Sequence, residues 1–457
     1  MELFFSRRRA RHILTFLFLF VLVVYIVMPM QTPVSLSLYI LTLIIYALAT
    51  IIFFVAKKKN NFFDFDSIFI SLFSICSFYS TAFYNNSLIY RVLFLGLEFN
   101  TDYVNIGNWM SLMALLSYYL GGLSVNPKKS VKEREINIKP IRTRNLGYCL
   151  MGMMILFYLL GGFEYYKSVY LQITADFSSY VTHILLLIIV LSIVFVVSEF
   201  YNLKNLTNYK IKKWPFLAIF IFSFLLLACG NRTSASFLLL SIAGIYTMLF
   251  KNVKFKYMFI IVLVAIVAMA IVGSLRNGSE VEITSSIESA ATVAVDLTLP
   301  SRNNYVVYEY VNSFGLSYGK SMINSIIAII PFASSFLPVE DSATLLTKFY
   351  YSMVDDPNEI GLGTTVNADL YMAFGIFGVI LFMYLLGRFV SKSYLMALSN
   401  DYYGLLFVAL LMAFSVYLVR APYLFPLRYC VYSYMLAYYI RNREKRNPKV
   451  APFRLNA

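Results

Sequence analysis

The chain has 457 residues, 60% of them hydrophobic and 13% charged, with a mean hydropathy of +0.71 and a formal net charge of +15. Soluble domains are about 45–50% apolar, so this is an integral membrane protein. Its apolar runs are continuous stretches of about 20 residues, the length of a spanning helix, which excludes a β-barrel of short alternating segments. The positive charge is then a question of placement, and no nucleic-acid partner is implied.

The first run, Ile13–Met28, follows Arg7, Arg8, Arg9 and Arg11. It opens like a signal peptide, but no small-x-small cleavage site follows, so it reads as an uncleaved first helix. Further spans are predicted over Val34–Ala56, Asp66–Tyr84, Val104–Leu123, Leu146–Gly162, Val181–Tyr201, Trp214–Cys229, Thr233–Phe250 and Tyr257–Leu275. After a long polar stretch come Thr364–Phe389, Tyr402–Val419 and Tyr423–Ile440. The fold expected is all-α: a polytopic membrane bundle of about 12 helices forming a single domain over 1–457, with one large outward loop, 276–363.

Orientation follows from Lys and Arg. With the amino terminus in the cytoplasm, every inward loop is basic: Arg7 to Arg11, Lys57 to Lys59, Lys128 to Arg144, Lys204 to Lys213, Lys251 to Lys256, Arg388 with Lys392, and the tail from Arg441. This matches the positive-inside bias and places both termini in the cytoplasm. The cations left over, Arg91, Lys167, Arg232, Arg276, Arg302, Lys320, Lys348, Arg420 and Arg428, fall on the outward side or in an outward half-helix. A cation that dips into hydrocarbon there costs about 2.5–3.5 kcal/mol on insertion scales, so an anionic compensator is expected for several of them.

Four cysteines (Cys76, Cys149, Cys229, Cys430) are scattered in or beside apolar runs, and the two histidines, His12 and His183, lie far apart. Neither a disulfide framework nor a metal site is indicated, and no cofactor is expected. Gly315-Leu-Ser-Tyr-Gly319-Lys320-Ser321 has three residues between its glycines where a phosphate-binding loop needs four.

The chemistry is expected around the 276–363 loop, which begins SLRNGSEVEITSS and ends DDPNEIGLG. Ile287–Asp296, Tyr305–Val311 and Met322–Ile330 read as short surface or interfacial helices. Arg276 closes the ninth span and Arg302 follows Pro300. Asp296 and Glu309 stand nearest Arg302 in sequence, either as general base or as salt-bridge partners that orient the arginines. The corner Gly230-Asn231-Arg232 puts an arginine beside a helix start, which suits an anion site; the alternative is a snorkelling arginine that anchors the turn. In the last reversal, Arg420 and Arg428 bracket Pro422 and Pro426. If Pro422 opens the final helix, Arg428 lies about a turn and a half inside it and faces the protein interior, either toward an anion or paired with a carboxylate such as Asp369. Gly375, Gly378 and Gly387 would allow close helix packing.

The long outward loop, the Gly-Asn-Arg corner, the Gly361-Leu-Gly363 opening into a Phe-Gly-Ile-Phe-Gly-Val span and the arginine pair at the last reversal resemble Wzy-type O-antigen or repeat-unit polymerases. The resemblance covers about residues 215–440 by pattern and the remainder by topology. It implies a GT-C-like glycosyltransferase of the bacterial inner membrane, which moves a growing glycan from undecaprenyl pyrophosphate onto a new lipid-linked repeat unit at the periplasmic face. It implies that Arg232, Arg276, Arg302, Arg420 and Arg428 bind the lipid pyrophosphate, and that Asp296 or Glu309 accepts a proton. It implies no metal or nucleotide, because the leaving lipid pyrophosphate is already activated. Implied partners are the lipid-linked oligosaccharide, membrane lipid, a chain-length regulator and a flippase. O-antigen ligases share this architecture but rely on a histidine in the large loop, and residues 276–363 contain none. A peptidoglycan polymerase is a further alternative. A transporter or lipid flippase would carry internal repeats and mid-membrane charges, whereas the charges here gather at one face.

Overall fold

The computed structural model describes residues 6–82, 100–127, 140–170, 178–258, 260–261, 264, 299–333, 337, 340–354 and 361–446. Among these the architecture is entirely helical. In chain order the helices are α1 (Arg7–Val27), α2 (Leu36–Ala56), α3 (Phe65–Ala82), α4 (Val104–Ser124), α5 (Arg144–Leu159), α6 (Gly162–Tyr170), α7 (Ser178–Asn205) and α8 (Lys213–Ala228). They continue with α9 (Arg232–Leu249), α10 (Asn303–Phe314), α11 (Lys320–Ile327), α12 (Ser342–Val354), α13 (Val366–Leu398), α14 (Tyr402–Phe414) and α15 (Leu427–Arg446). Five of them (α1, α2, α7, α9 and α13) are long and apolar enough to cross a membrane, and α3, α5, α8 and α14 are shorter apolar helices. The predicted span Tyr257–Leu275 and the predicted short helix Ile287–Asp296 lie largely or wholly outside the described residues.

The bundle is built around α4 and α13, which pack on each other more extensively than any other pair. Almost every residue of α4 is buried, including Asn105, Asn108, Ser111 and Ser117. Two small-residue contacts let the helices touch backbone to backbone: a Cβ on Gly121 would run into the Tyr384 carbonyl, and one on Gly387 into that of Tyr118. In lipid, where hydrophobicity does not drive helices together, such close approach is what holds them.

α13 is broken near its first third. Phe374 and Gly375 leave helical geometry, Gly375 with φ +62° and ψ −157°, a conformation open to glycine and costly for other residues. Gly375 therefore supplies a kink rather than a packing face. The Gly315–Gly319 turn docks there: its Ser317 N–H donates to the Met372 carbonyl at 2.8 Å, and Phe374 lies against Gly319. The glycines of this stretch have φ of +76° and +83°, as a tight reversal between α10 and α11 requires.

Alternating helices give the bundle two ends. Arg7 donates to the Gly122 and Leu123 carbonyls at the end of α4, Arg388 reaches Ser124, and Arg441 lies over Tyr403 at the start of α14. The first and last described helices therefore reach the same end, here called the basic end. The opposite end carries the α8–α9 corner, the 299–365 segment and the 415–426 reversal; it is the loop end.

Predicted and observed helices agree closely for α2, α4, α8 and α9. The last reversal does not. α14 stops at Phe414, a 3-10 turn covers Leu418–Arg420, and the final helix begins at Leu427. Proline disfavours helical geometry in the residue before it, and with Pro422 and Pro426 four positions apart the helix starts only after the second. Arg428 is accordingly the second residue of α15, at its mouth and not a turn and a half inside.

Candidate functional site

The loop end is organised by a 3-10 turn, Leu299–Arg302, that leads into α10. Two amides lock it down. Asn303 donates through Nδ2 to the Gly363 carbonyl at 2.8 Å, and Asn304 Oδ1 accepts from Thr365 Oγ1 at 2.5 Å. Thr365 in turn caps α13 by accepting the Ala368 N–H at 3.1 Å. The first half of α10 is then buried against α4 and α13, with the ring of Tyr305 seated where Gly107 has no side chain.

This anchoring encloses Arg302 completely, at 0% exposure. Its guanidinium lies 4.6 Å from the centre of the Tyr350 ring, which α12 supplies. Among the described residues Nε, Nη1 and Nη2 have no hydrogen-bond partner and the side chain has no ion pair. Burial pushes its pKa down to about 10, which leaves it charged at neutral pH. A buried, unpaired charge is among the costliest groups a protein can hold, and a cation–π contact offsets only about 0.5–2 kcal/mol. Arg302 is therefore a buried cation with neither a hydrogen bond nor an ion pair among the described residues.

A second 3-10 turn, Leu418–Arg420, lies at the same end, and both turns pack on α3. Arg420 lies near Cys76 of α3 and Tyr417. Arg428 lies over Phe425 and Tyr429, 5.5 and 5.0 Å from their ring centres, and donates through Nη2 to the Tyr429 hydroxyl at 3.3 Å. Arg232 opens α9, where the Asn231 side chain accepts the Ser234 N–H at 3.1 Å and Gly230 turns with φ +87°. About a turn and a half further along, Phe237 packs against Phe414, Tyr417, Phe425 and Tyr429. One aromatic cluster thus joins the Arg232 helix to the Arg420–Arg428 reversal.

The structure brings Arg232, Arg302, Arg420 and Arg428 to one end of the bundle. Arg276 and Asp296 lie outside the described residues. Glu309 is two turns along α10 from Arg302, about 10 Å of helix; it is half-buried, which raises its carboxyl pKa, and it forms no ion pair among the described residues. The pairing of Arg428 with Asp369, one of the two alternatives for that arginine, is not formed. Asp369 is fully buried in the first turn of α13, and its Oδ2 accepts the backbone N–H of Tyr423 at 2.8 Å. The shorter final helix explains this, because it places the backbone of the reversal, not the arginine, over the carboxylate. Sequence reasoning missed Tyr350 and the burial of Asp369 beside the site. Its available signal was an acid in the opening turn of an otherwise apolar span.

The model of one family, O-antigen polysaccharide polymerase Wzy, matches residues 11–441, nearly the whole chain. No curated protein and no solved structure matches.

Proposed function

Because the chain belongs to the O-antigen polysaccharide polymerase family Wzy, and so is a membrane glycan polymerase, we propose that it transfers a growing glycan from a polyprenyl pyrophosphate onto a new lipid-linked repeat unit. The observation that carries this reading is Arg302, a buried guanidinium stacked on Tyr350 with no hydrogen-bond or ion-pair partner among the described residues. Arginine presents a planar fork of donors suited to phosphate oxygens. A lipid pyrophosphate held there, with Arg232, Arg420 and Arg428 at the same end and Arg276 contributed by the adjoining stretch, would leave with its developing charge stabilised by groups already in place.

The reaction would run at the outward, periplasmic face of a bacterial inner membrane, with both termini in the cytoplasm. The distribution of Lys and Arg supports that orientation, as does the convergence of the two described terminal helices on the basic end. The loop 276–363 would serve as lid and one wall of the cleft, since α10 packs into the bundle while α12 brings Tyr350 over Arg302. A flippase that supplies the lipid-linked unit and a regulator of chain length would be its partners.

The test is the lipid-glycan profile of cells lacking the protein, complemented with wild type, Arg302→Ala or Arg420→Ala. Wild type restores long chains, and both variants leave single repeat units despite normal membrane levels of protein. Normal chain lengths in both variants would end the pyrophosphate-site reading. Long chains accumulating on the carrier lipid in the deletion strain would indicate ligation instead.

A further inference from the structure

We propose that Asp369 is the proton acceptor for the attacking sugar hydroxyl, an inference that rests on the polymerase reading above. Two observations point to it, and neither depends on the arginines.

The first is the carboxylate itself. Asp369 is fully buried, Oδ2 accepts the Tyr423 N–H at 2.8 Å, the Ser342 hydroxyl is its other neutral partner, and no cation pairs with it among the described residues. To hold one N–H, an amide or hydroxyl would do, without the cost of enclosing an acid. A buried acid with no cation beside it among the described residues is what a purely structural role leaves unexplained. The second observation is what lies beside it. Ser342, the first residue of α12, is itself fully buried, and the partner of its hydroxyl is this carboxylate. A buried carboxylate with no cation and a hydroxyl brought to it by a different element mark a place where a sugar hydroxyl can stand, taking the position of Ser342 beside the carboxylate.

The placement suits the chemistry. Thr365, four residues before Asp369, is bonded to Asn304, two residues after Arg302. On the other side, Tyr423, whose N–H the carboxylate holds, is three residues after Arg420. Asp369 is thus tied by one short hydrogen-bonded connection to each arginine-bearing turn. Among the described residues Glu309 has no such hydrogen-bonded tie to the Arg420 turn.

In the step, Oδ1 takes the proton of the acceptor sugar's hydroxyl as that oxygen bonds to the donor's anomeric carbon. The bond from this carbon to the pyrophosphate oxygen breaks, and its electron pair leaves with the polyprenyl pyrophosphate. The proton is released from Asp369 to solvent as that product departs.

The experiment uses the full chain in lipid nanodiscs, with the lipid-linked oligosaccharide that accumulates in cells lacking this protein as substrate. Wild type should extend it; a wild-type protein that does not extend it refutes the polymerase reading itself, and this inference with it. Given extension, Asp369→Asn should slow it by at least about 100-fold, the lower range for loss of a general base, while binding of polyprenyl pyrophosphate stays within about two-fold. Asp369→Ala should behave alike. If Asp369→Asn keeps more than about a tenth of the wild-type rate while Asp369→Ala loses extension, the side chain only holds the Tyr423 N–H and the inference is wrong. Should the variants fail to fold, labelling of wild type with a hydrophobic carbodiimide decides. The lipid-linked oligosaccharide should slow modification of Asp369 several-fold, and unchanged labelling would overturn the proposal.

Discussion

The two ends of the bundle treat buried charge in opposite ways. Among the described residues, the acids enclosed at the basic end have their cations: Lys57 Nζ is 2.7 Å from the buried Asp66, which also accepts the Tyr118 hydroxyl at 2.5 Å, and Lys59 Nζ is 2.6 Å from the half-buried Asp64. Glu199, fully buried, takes the Tyr209 hydroxyl at 2.9 Å, the Lys212 N–H at 3.1 Å and the Lys212 ammonium at 3.5 Å. At the loop end, Arg302 is buried with no hydrogen-bond or ion-pair partner and Asp369 is buried with no cation, both among the described residues. Charges of the first kind complete each other and hold helices in register. Those of the second kind are completed only when something else arrives, so a difference in satisfaction separates scaffold from site.

The sharpest way to break this contrast is at the basic end. Lys57→Met should leave Asp66 buried and unpaired and lower stability by roughly 3–5 kcal/mol, read as a shift in denaturant or thermal unfolding in detergent, with extension per folded molecule preserved. A Lys57→Met protein that folds normally but cannot extend chains would put function at the wrong end. Arg302→Ala should do the reverse. Extension should fall about 10²–10³-fold, as when one preorganised donor to a developing anion is removed, and unfolding resistance should not decrease, because an uncompensated charge has been taken away. A clear loss of stability would mean that Arg302 is a structural cation after all.

Two smaller effects sharpen the account of how the loop end is built. Gly375→Ala places a side chain at φ +62° and should cost about 1–3 kcal/mol, which unfolding would register; chains should shorten as the Gly315–Gly319 turn loses its seat. An Ala variant as stable as wild type would mean that the kink is not held. Tyr350→Leu keeps bulk but removes the ring over Arg302, and should weaken pyrophosphate binding by several-fold, in keeping with about 0.5–2 kcal/mol for a cation–π contact. Unchanged affinity would separate Tyr350 from the site.

Much of the scaffold was readable in the sequence because hydropathy and the placement of Lys and Arg are one-dimensional signals. Runs of apolar residues gave α2, α4, α8 and α9 nearly to the residue, and an arginine just after Pro300 in an outward loop was enough to single out Arg302. Its enclosure was not readable, since that depends on Asn303 and Asn304 gripping residues about 60 positions later and on Tyr350 closing over the guanidinium. Asp369 was visible only as a possible partner for Arg428. Its partners are a backbone N–H, which carries no residue-type signature, and a serine hydroxyl from a distant element. The short helices α6 and α12 were missed because neither is long enough to show as a hydropathy run, although α12 brings both Tyr350 and Ser342 to the site.

The most direct measurement is binding of polyprenyl pyrophosphate to the purified protein in nanodiscs, wild type against Arg302→Met. The methionine variant keeps an apolar stem in the enclosed position and removes only the charge and its donors. The account predicts that affinity falls by at least about ten-fold, as expected when a charge-assisted contact of roughly 1.5–3 kcal/mol is lost, with the fold intact. Equal affinity in the two proteins would contradict the central claim that the buried guanidinium is the anion site.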